Sequence, residues 1–116
     1  MPVKTAVNNY LGQAGCKRMN CAQAVISAFQ EKYELDEDTV ELFRAYGGGR
    51  APGGVCGAFY AVKYILEHCG DAKRIAELEQ YFSGCAGSLK CNDIRQARTL
   101  SCVECVEKCS EYLAAL

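Results

Sequence analysis

The sequence predicts an all-α fold: a compact single domain, residues 1–116, built as a bundle of about five or six helices joined by Gly-rich loops. Three observations predict it. Apolar residues recur three and four positions apart, no stretch sustains the alternation a strand needs, and glycine-rich breaks separate the periodic runs. With 116 residues the chain suits one domain and is short for two. Half its residues are hydrophobic by a count that includes cysteine, so a core can form without disulfides or metal.

The elements follow in order. An opening helix covers about 3–13 and is closed by Gly15. A second runs over about 21–33, with Cys21, Val25 and Phe29 stacked on one face. Asp36 is placed to cap a third helix over 37–46, whose first turn is acidic. The glycine-rich loop 47–54 ends it and leads into a helix over 55–69, which Gly70 terminates. Asp71 caps a fifth helix reaching about Phe82, and a small-residue loop over 83–88 follows. A short helix after Asn92 precedes the last, over 102–114.

Composition excludes several partners. Lys plus Arg number 13 and Asp plus Glu 14, tryptophan is absent and phenylalanine is sparse, so neither charge nor stacking favours nucleic acid. The N-terminus lacks the pattern of a secretion signal, and apolar runs such as 56–62 are far too short to span a membrane. The expectation is a cytoplasmic protein that binds neither nucleic acid nor membrane. The Gly-rich loop lacks the Lys-Ser/Thr ending of a phosphate-binding loop.

Nine cysteines remain to be explained. In a reducing compartment that density points to metal binding or thiol redox chemistry. Small apolar Cys side chains filling a core would account for only a few of them. Ser101 and Glu104 have capping-box spacing, which makes Cys102 the first residue of the final helix. Backbone N–H groups and the helix dipole there favour a thiolate. Cys105 lies one turn on, and Cys109 one turn beyond; the plainer reading is a core-facing stripe. Cys56 sits among glycines, whose backbone N–H groups can approach its sulfur. Cys85 and Cys91 flank the second loop, Cys21 starts a helix after the loop holding Cys16, and Cys69 ends a helix. His68, the one histidine, reads as a helix C-terminal residue rather than a base. Zinc-finger spacing is absent.

The segments 20–25, 47–49, 54–58 and 87–91, followed by Cys102, resemble the C-GCAxxG-C-C family of redox-active proteins. The resemblance covers about 20–112 and carries the signature cysteines onto Cys21, Cys56, Cys91 and Cys102. It implies redox activity. A similar domain in a split-Soret type of cytochrome carries an iron–sulfur cluster, so the resemblance also implies cluster binding through these four residues. Ala61 departs from the family's glycine, the stretch from Cys91 to Cys102 is shorter than usual, and Cys16, Cys69, Cys85, Cys105 and Cys109 exceed the signature.

Three functions follow as expectations. The first is an iron–sulfur protein for electron transfer with a redox protein partner, ligated by Cys21, Cys56, Cys91 and Cys102. The second is a thiol–disulfide or persulfide oxidoreductase in which Cys102 attacks and Cys105, or one of the signature cysteines, resolves. The third is a zinc-stapled structural or partner-binding helical domain. A homodimer is left open.

Overall fold

Helices begin where a side chain can take up the free amides of a first turn. The computed structural model describes residues 2–116. Helix α1 (Pro2–Leu11) opens on a proline, whose fixed φ suits a first helical position. Asn20 caps α2 (Cys21–Ala28), its Oδ1 accepting from the Gln23 amide at 2.8 Å. Asp36 caps α3 (Glu37–Leu42) through the Thr39 amide and hydroxyl, which hold its carboxyl below the usual range. A 3-10 turn (Phe43–Tyr46) continues α3 to the glycine loop. Then come α4 (Gly57–His68), α5 (Ile75–Ala86), α6 (Cys91–Ala97) and α7 (Cys102–Ala114). Ser101 and Glu104 form the expected capping box of α7, at 3.2 and 2.9 Å. The described residues thus hold seven α-helices and no named strand, an all-α fold with slightly more helices than expected.

Four boundaries differ from the sequence expectation. Gly12, at φ +69°, ends α1 before Gly15 is reached. Helix α2 stops at Ala28 instead of Tyr33, and turns close the interval with the Leu35 amide on the Gln30 carbonyl at 2.9 Å. Asp71 makes no side-chain cap; its carboxylate takes Arg74 Nε at 2.7 Å, and α5 starts only after the 3-10 turn Ala72–Arg74. Finally, α5 runs through Ser83 to Ala86 before left-handed Gly87 ends it, so Cys85 is helical rather than in a loop.

Helices α2, α4 and α7 pack together at the centre; α1 covers α2 and α7, and α5 closes the side of α4 and α7. Val25, Ile26, Phe29, Phe59, Val62, Ile65, Phe82, Val106 and Leu113 are almost wholly buried. Each such side chain contributes roughly 1.5–3 kcal/mol by leaving water. Phe59 and Phe82 stack at 5.8 Å, joining α4 to α5. Phe43 lies among Tyr46, Tyr60 and Tyr64, which anchors the end of the 3-10 turn where the glycine loop departs. Among the described residues no helix is long and apolar enough to cross a membrane.

Candidate functional site

The four cysteines Cys21, Cys56, Cys91 and Cys102 stand at the beginnings of four different helices. Cys21, Cys91 and Cys102 are the first residues of α2, α6 and α7, and Cys56 is the N-cap of α4. All four line one small apolar chamber, together with Cys105, Gly48, Ile94, Arg95 and Leu100. Four local devices bring these helix starts together. Asn20, besides capping α2, donates from Nδ2 to the Arg44 carbonyl at 2.9 Å, tying Cys21 to the 3-10 turn that leads into the glycine loop. The Cys56 amide donates to the Leu89 carbonyl at 2.8 Å, and Val55 and Lys90 form an antiparallel bridge. These contacts hold the entry to α4 against the entry to α6. Ser88 accepts from the Lys90 amide at 3.0 Å and donates to Asp93 at 3.1 Å, bending the chain into α6. The capping box fixes Cys102.

The chamber is apolar and tight. Cys21, Cys56, Cys91 and Cys105 are 9, 5, 8 and 4 % exposed, whereas Cys102 is half-buried at the mouth. The thiols nearly fill it, leaving a free volume of about 20 Å³, roughly enough for one water. Gly48, at φ +64°, turns its amide onto the Cys21 sulfur, and Gly49, at φ +85°, would bring a Cβ to 3.5 Å from Cys91 Cβ. These left-handed positions let backbone reach sulfur where other residues would be strained.

Burial governs the buried thiols. It pushes Cys21 up to about 11, helped by the nearby Cys56 and opposed by the Gly48 amide. The hydrogen-bonding Cys105 thiol and burial hold Cys56 well above its usual value, against the pull of the Phe59 and Ala58 amides. Burial also raises Cys91, while the Arg95 charge opposes it. Cys102 has polar company: Arg95 Nη2 lies 3.7 Å from its Sγ, and Tyr10 hydrogen-bonds to it. Burial and that thiol push the Tyr10 phenol up to about 12.

The remaining cysteines stand apart from the chamber lining. Cys109 is wholly buried, Cys85 lies on α5, Cys16 is in the loop after α1, and Cys69 is the exposed C-cap of α4. Sequence reasoning did not single out Arg95, Gly48, Ile94 or Tyr10. Arg95 was findable: it lies four residues after Cys91, one helical turn on the same face. Tyr10 was not, because only packing of α1 brings it to Cys102.

A family model described as "Putative redox-active protein (C_GCAxxG_C_C)" matches residues 19–116. The chain belongs to this family. The C_GCAxxG_C_C match begins just before Asn20, the cap that positions the first chamber cysteine, and runs through α7. Helix α1 lies outside the matched span yet supplies Tyr10 at the mouth. No curated protein and no solved structure matches the chain.

Proposed function

We propose that this C_GCAxxG_C_C protein is an electron carrier that holds an iron–sulfur cluster through Cys21, Cys56, Cys91 and Cys102. The observation that carries the reading is their convergence, from four separate helix starts, on one small apolar chamber. Thiolates are the ligands such clusters take, and backbone amides around sulfur together with low solvent exposure tune their potential. Bound there, a cluster would supply one-electron transfer. The protein's part is to give up thiol protons, exclude water and stabilise the negative charge of the thiolates. The Gly48 amide and the Ala58 and Phe59 amides face the sulfurs of Cys21 and Cys56, and the Arg95 guanidinium faces that of Cys102.

The donor chemistry fits; the free volume is small, so the thiol side chains must swing back on loading. A single zinc ion would gather four sulfurs about 2.3 Å from one centre. Among the described residues no three Cys, His, Asp or Glu side chains are so gathered. Either loading therefore requires the thiols to move, and metal content distinguishes the two. A reducing compartment, the cytoplasm, suits thiols that must stay unpaired, and the natural partner is another redox protein.

The test is iron, sulfide and zinc content with an absorption spectrum on protein purified without oxygen. Stoichiometric iron and sulfide are expected, lost in Cys21→Ser, Cys56→Ser, Cys91→Ser and Cys102→Ser and kept in Cys69→Ser. Full retention in all four signature variants overturns the assignment.

A second reading rests on Cys102 and Cys105, one turn apart on α7 and both lining the chamber, with Cys102 at its mouth. Here Cys102 attacks a partner's disulfide, releasing one partner thiol, and Cys105 displaces the other, leaving a Cys102–Cys105 disulfide and a reduced partner. Metal-free protein that cycles reversibly between five reduced chamber thiols and three, trapped by acid quench and alkylation, supports it.

A further inference from the structure

Outside the thiol chamber lies an open cleft of about 360 Å³, lined by Tyr10, Arg18, Met19, Asn20, Cys21, Gly48, Arg95 and Cys102. It shares Cys21, Gly48, Arg95 and Cys102 with the chamber, so the two form an inner and an outer compartment. We propose that this outer cleft is a binding site for a small oxyanion, held by Arg18 and Arg95 and presented to the Cys102 sulfur. The inference does not depend on the cluster reading, because its test uses the reduced, metal-free chain.

Three observations carry it. First, among the described residues neither Arg18 nor Arg95 has a carboxylate within ion-pair distance, although arginines elsewhere pair with Glu41 and Asp71. Two guanidinium groups facing one concavity are the usual means of recognising carboxylate, phosphate and sulfur oxyanions. Second, the fold fixes the backbone and Cβ of Arg18 at the edge of the cleft. The chain turns back after α1 with the Met19 amide on the Asn9 carbonyl at 2.9 Å, and Gly12 packs so closely that a Cβ there would meet Arg18 Cβ at 3.0 Å. Third, the chain segments that supply most of the cleft lining are basic in sequence. The segments 12–20, 47–56 and 87–101 carry Lys17, Arg18, Arg50, Lys90, Arg95 and Arg98 against Asp93 alone. That leaves seven of the 13 bases and 13 of the 14 acids for the rest of the chain. Such a field concentrates small anions at the mouth of a molecule whose net charge is −1.

The experiment compares alkylation of Cys102 by anionic iodoacetate and by neutral iodoacetamide, located by peptide mass mapping. In both reactions the same thiolate sulfur attacks the reagent's methylene carbon, forming an S–C bond as the C–I bond breaks and iodide leaves, so their rate ratio cancels the thiolate fraction and reads the local field. The ratio should exceed that of free cysteine by about tenfold, in the range expected of electrostatic focusing. It should fall toward the free value in Arg18→Gln and in Arg95→Gln, and collapse at high salt. Circular dichroism of each variant verifies folding. Competition then names the anion: protection of Cys102 by succinate assigns a carboxylate ligand, and protection by phosphate or thiosulfate a tetrahedral oxyanion. A ratio equal to that of free cysteine overturns the proposal, as does the absence of protection by all three anions.

Discussion

Cys21 Sγ lies against the backbone of Gly57, the first residue of α4: a Cβ on Gly57 would stand 2.7 Å from that sulfur and 2.8 Å from the Tyr46 carbonyl oxygen. The start of one helix is thus packed onto the first cysteine of another, with no room for a methyl group. One of the two contacts is backbone, which cannot turn aside. Gly57→Ala should therefore destabilise the fold by about 1–3 kcal/mol, as overpacking does, and displace Cys21 from the chamber. Urea unfolding together with iron content after anaerobic loading reads both effects; wild-type values for each would show that the packing yields.

Asn20 performs two tasks that can be separated. Asn20→Asp keeps the acceptor that caps α2 but removes the donor to the Arg44 carbonyl. Asn20→Ala removes both. The Ala variant should lose about 1 kcal/mol for the cap alone, and the Asp variant should keep α2 while loosening the glycine loop. Amide exchange should then quicken at Gly48 in both variants, and at Gln23 only in Asn20→Ala.

Alkali should weaken the reduced, metal-free protein. Cys21 titrates near 9.0 when unfolded and near 11 when folded, so between those values the folded state holds more protons and stability falls as pH rises. The stabilisation is complete below pH 9 and gone above 11, and two units correspond to roughly 3 kcal/mol. Cys56, Cys91 and Cys109 shift in the same direction and deepen the loss. The urea midpoint should drop steadily from pH 8.5 to 10.5, and less steeply in Cys21→Ala. An unchanged midpoint would contradict the burial of these thiols.

Cys105 separates the two functional readings. It lines the chamber against Cys56 but stands outside the four-helix-start set. Cys105→Ala should leave cluster iron and sulfide at wild-type levels while abolishing any reversible dithiol cycle. Loss of iron in this variant would make Cys105 a ligand and displace one of the four.

Much of this was legible because the relevant signals are local. Asp36 and the Ser101–Glu104 box act within one helical turn, so two helix starts, and with one of them the position of Cys102, could be read from spacing; the start of α2 at Cys21 was read from apolar periodicity, and its Asn20 cap was not. Helix ends were less legible. Gly12 and Gly15 are equally able to stop α1, and only the tertiary contact of Gly12 with Arg18 distinguishes them. The extension of α5 through Ser83, Gly84 and Cys85 overrides small-residue propensity, with Phe82 and Ala86 buried against its neighbours. The meeting of Cys21 with Cys56 and Cys91 is a long-range event, and the resemblance, rather than any periodicity, pointed to it. The cleft at Arg18 and Tyr10 carried no sequence signal at all.

The chamber cysteines lie at positions 21, 56, 91 and 102, so a ligand shared among them would close chain segments of 35, 35 and 11 residues. Such a ligand is a covalent staple as well as a redox centre. By the loop-closure argument each closed segment removes freedom from the unfolded chain worth roughly 3–4 kcal/mol, as a disulfide does. Strands of denatured chain far from any helix contact would then be tethered to a common knot, and its dissolution by oxidant or chelator would release all of them at once. Loss of the centre would strip that stability from the fold in a single step, so the lifetime of the protein would follow its redox history.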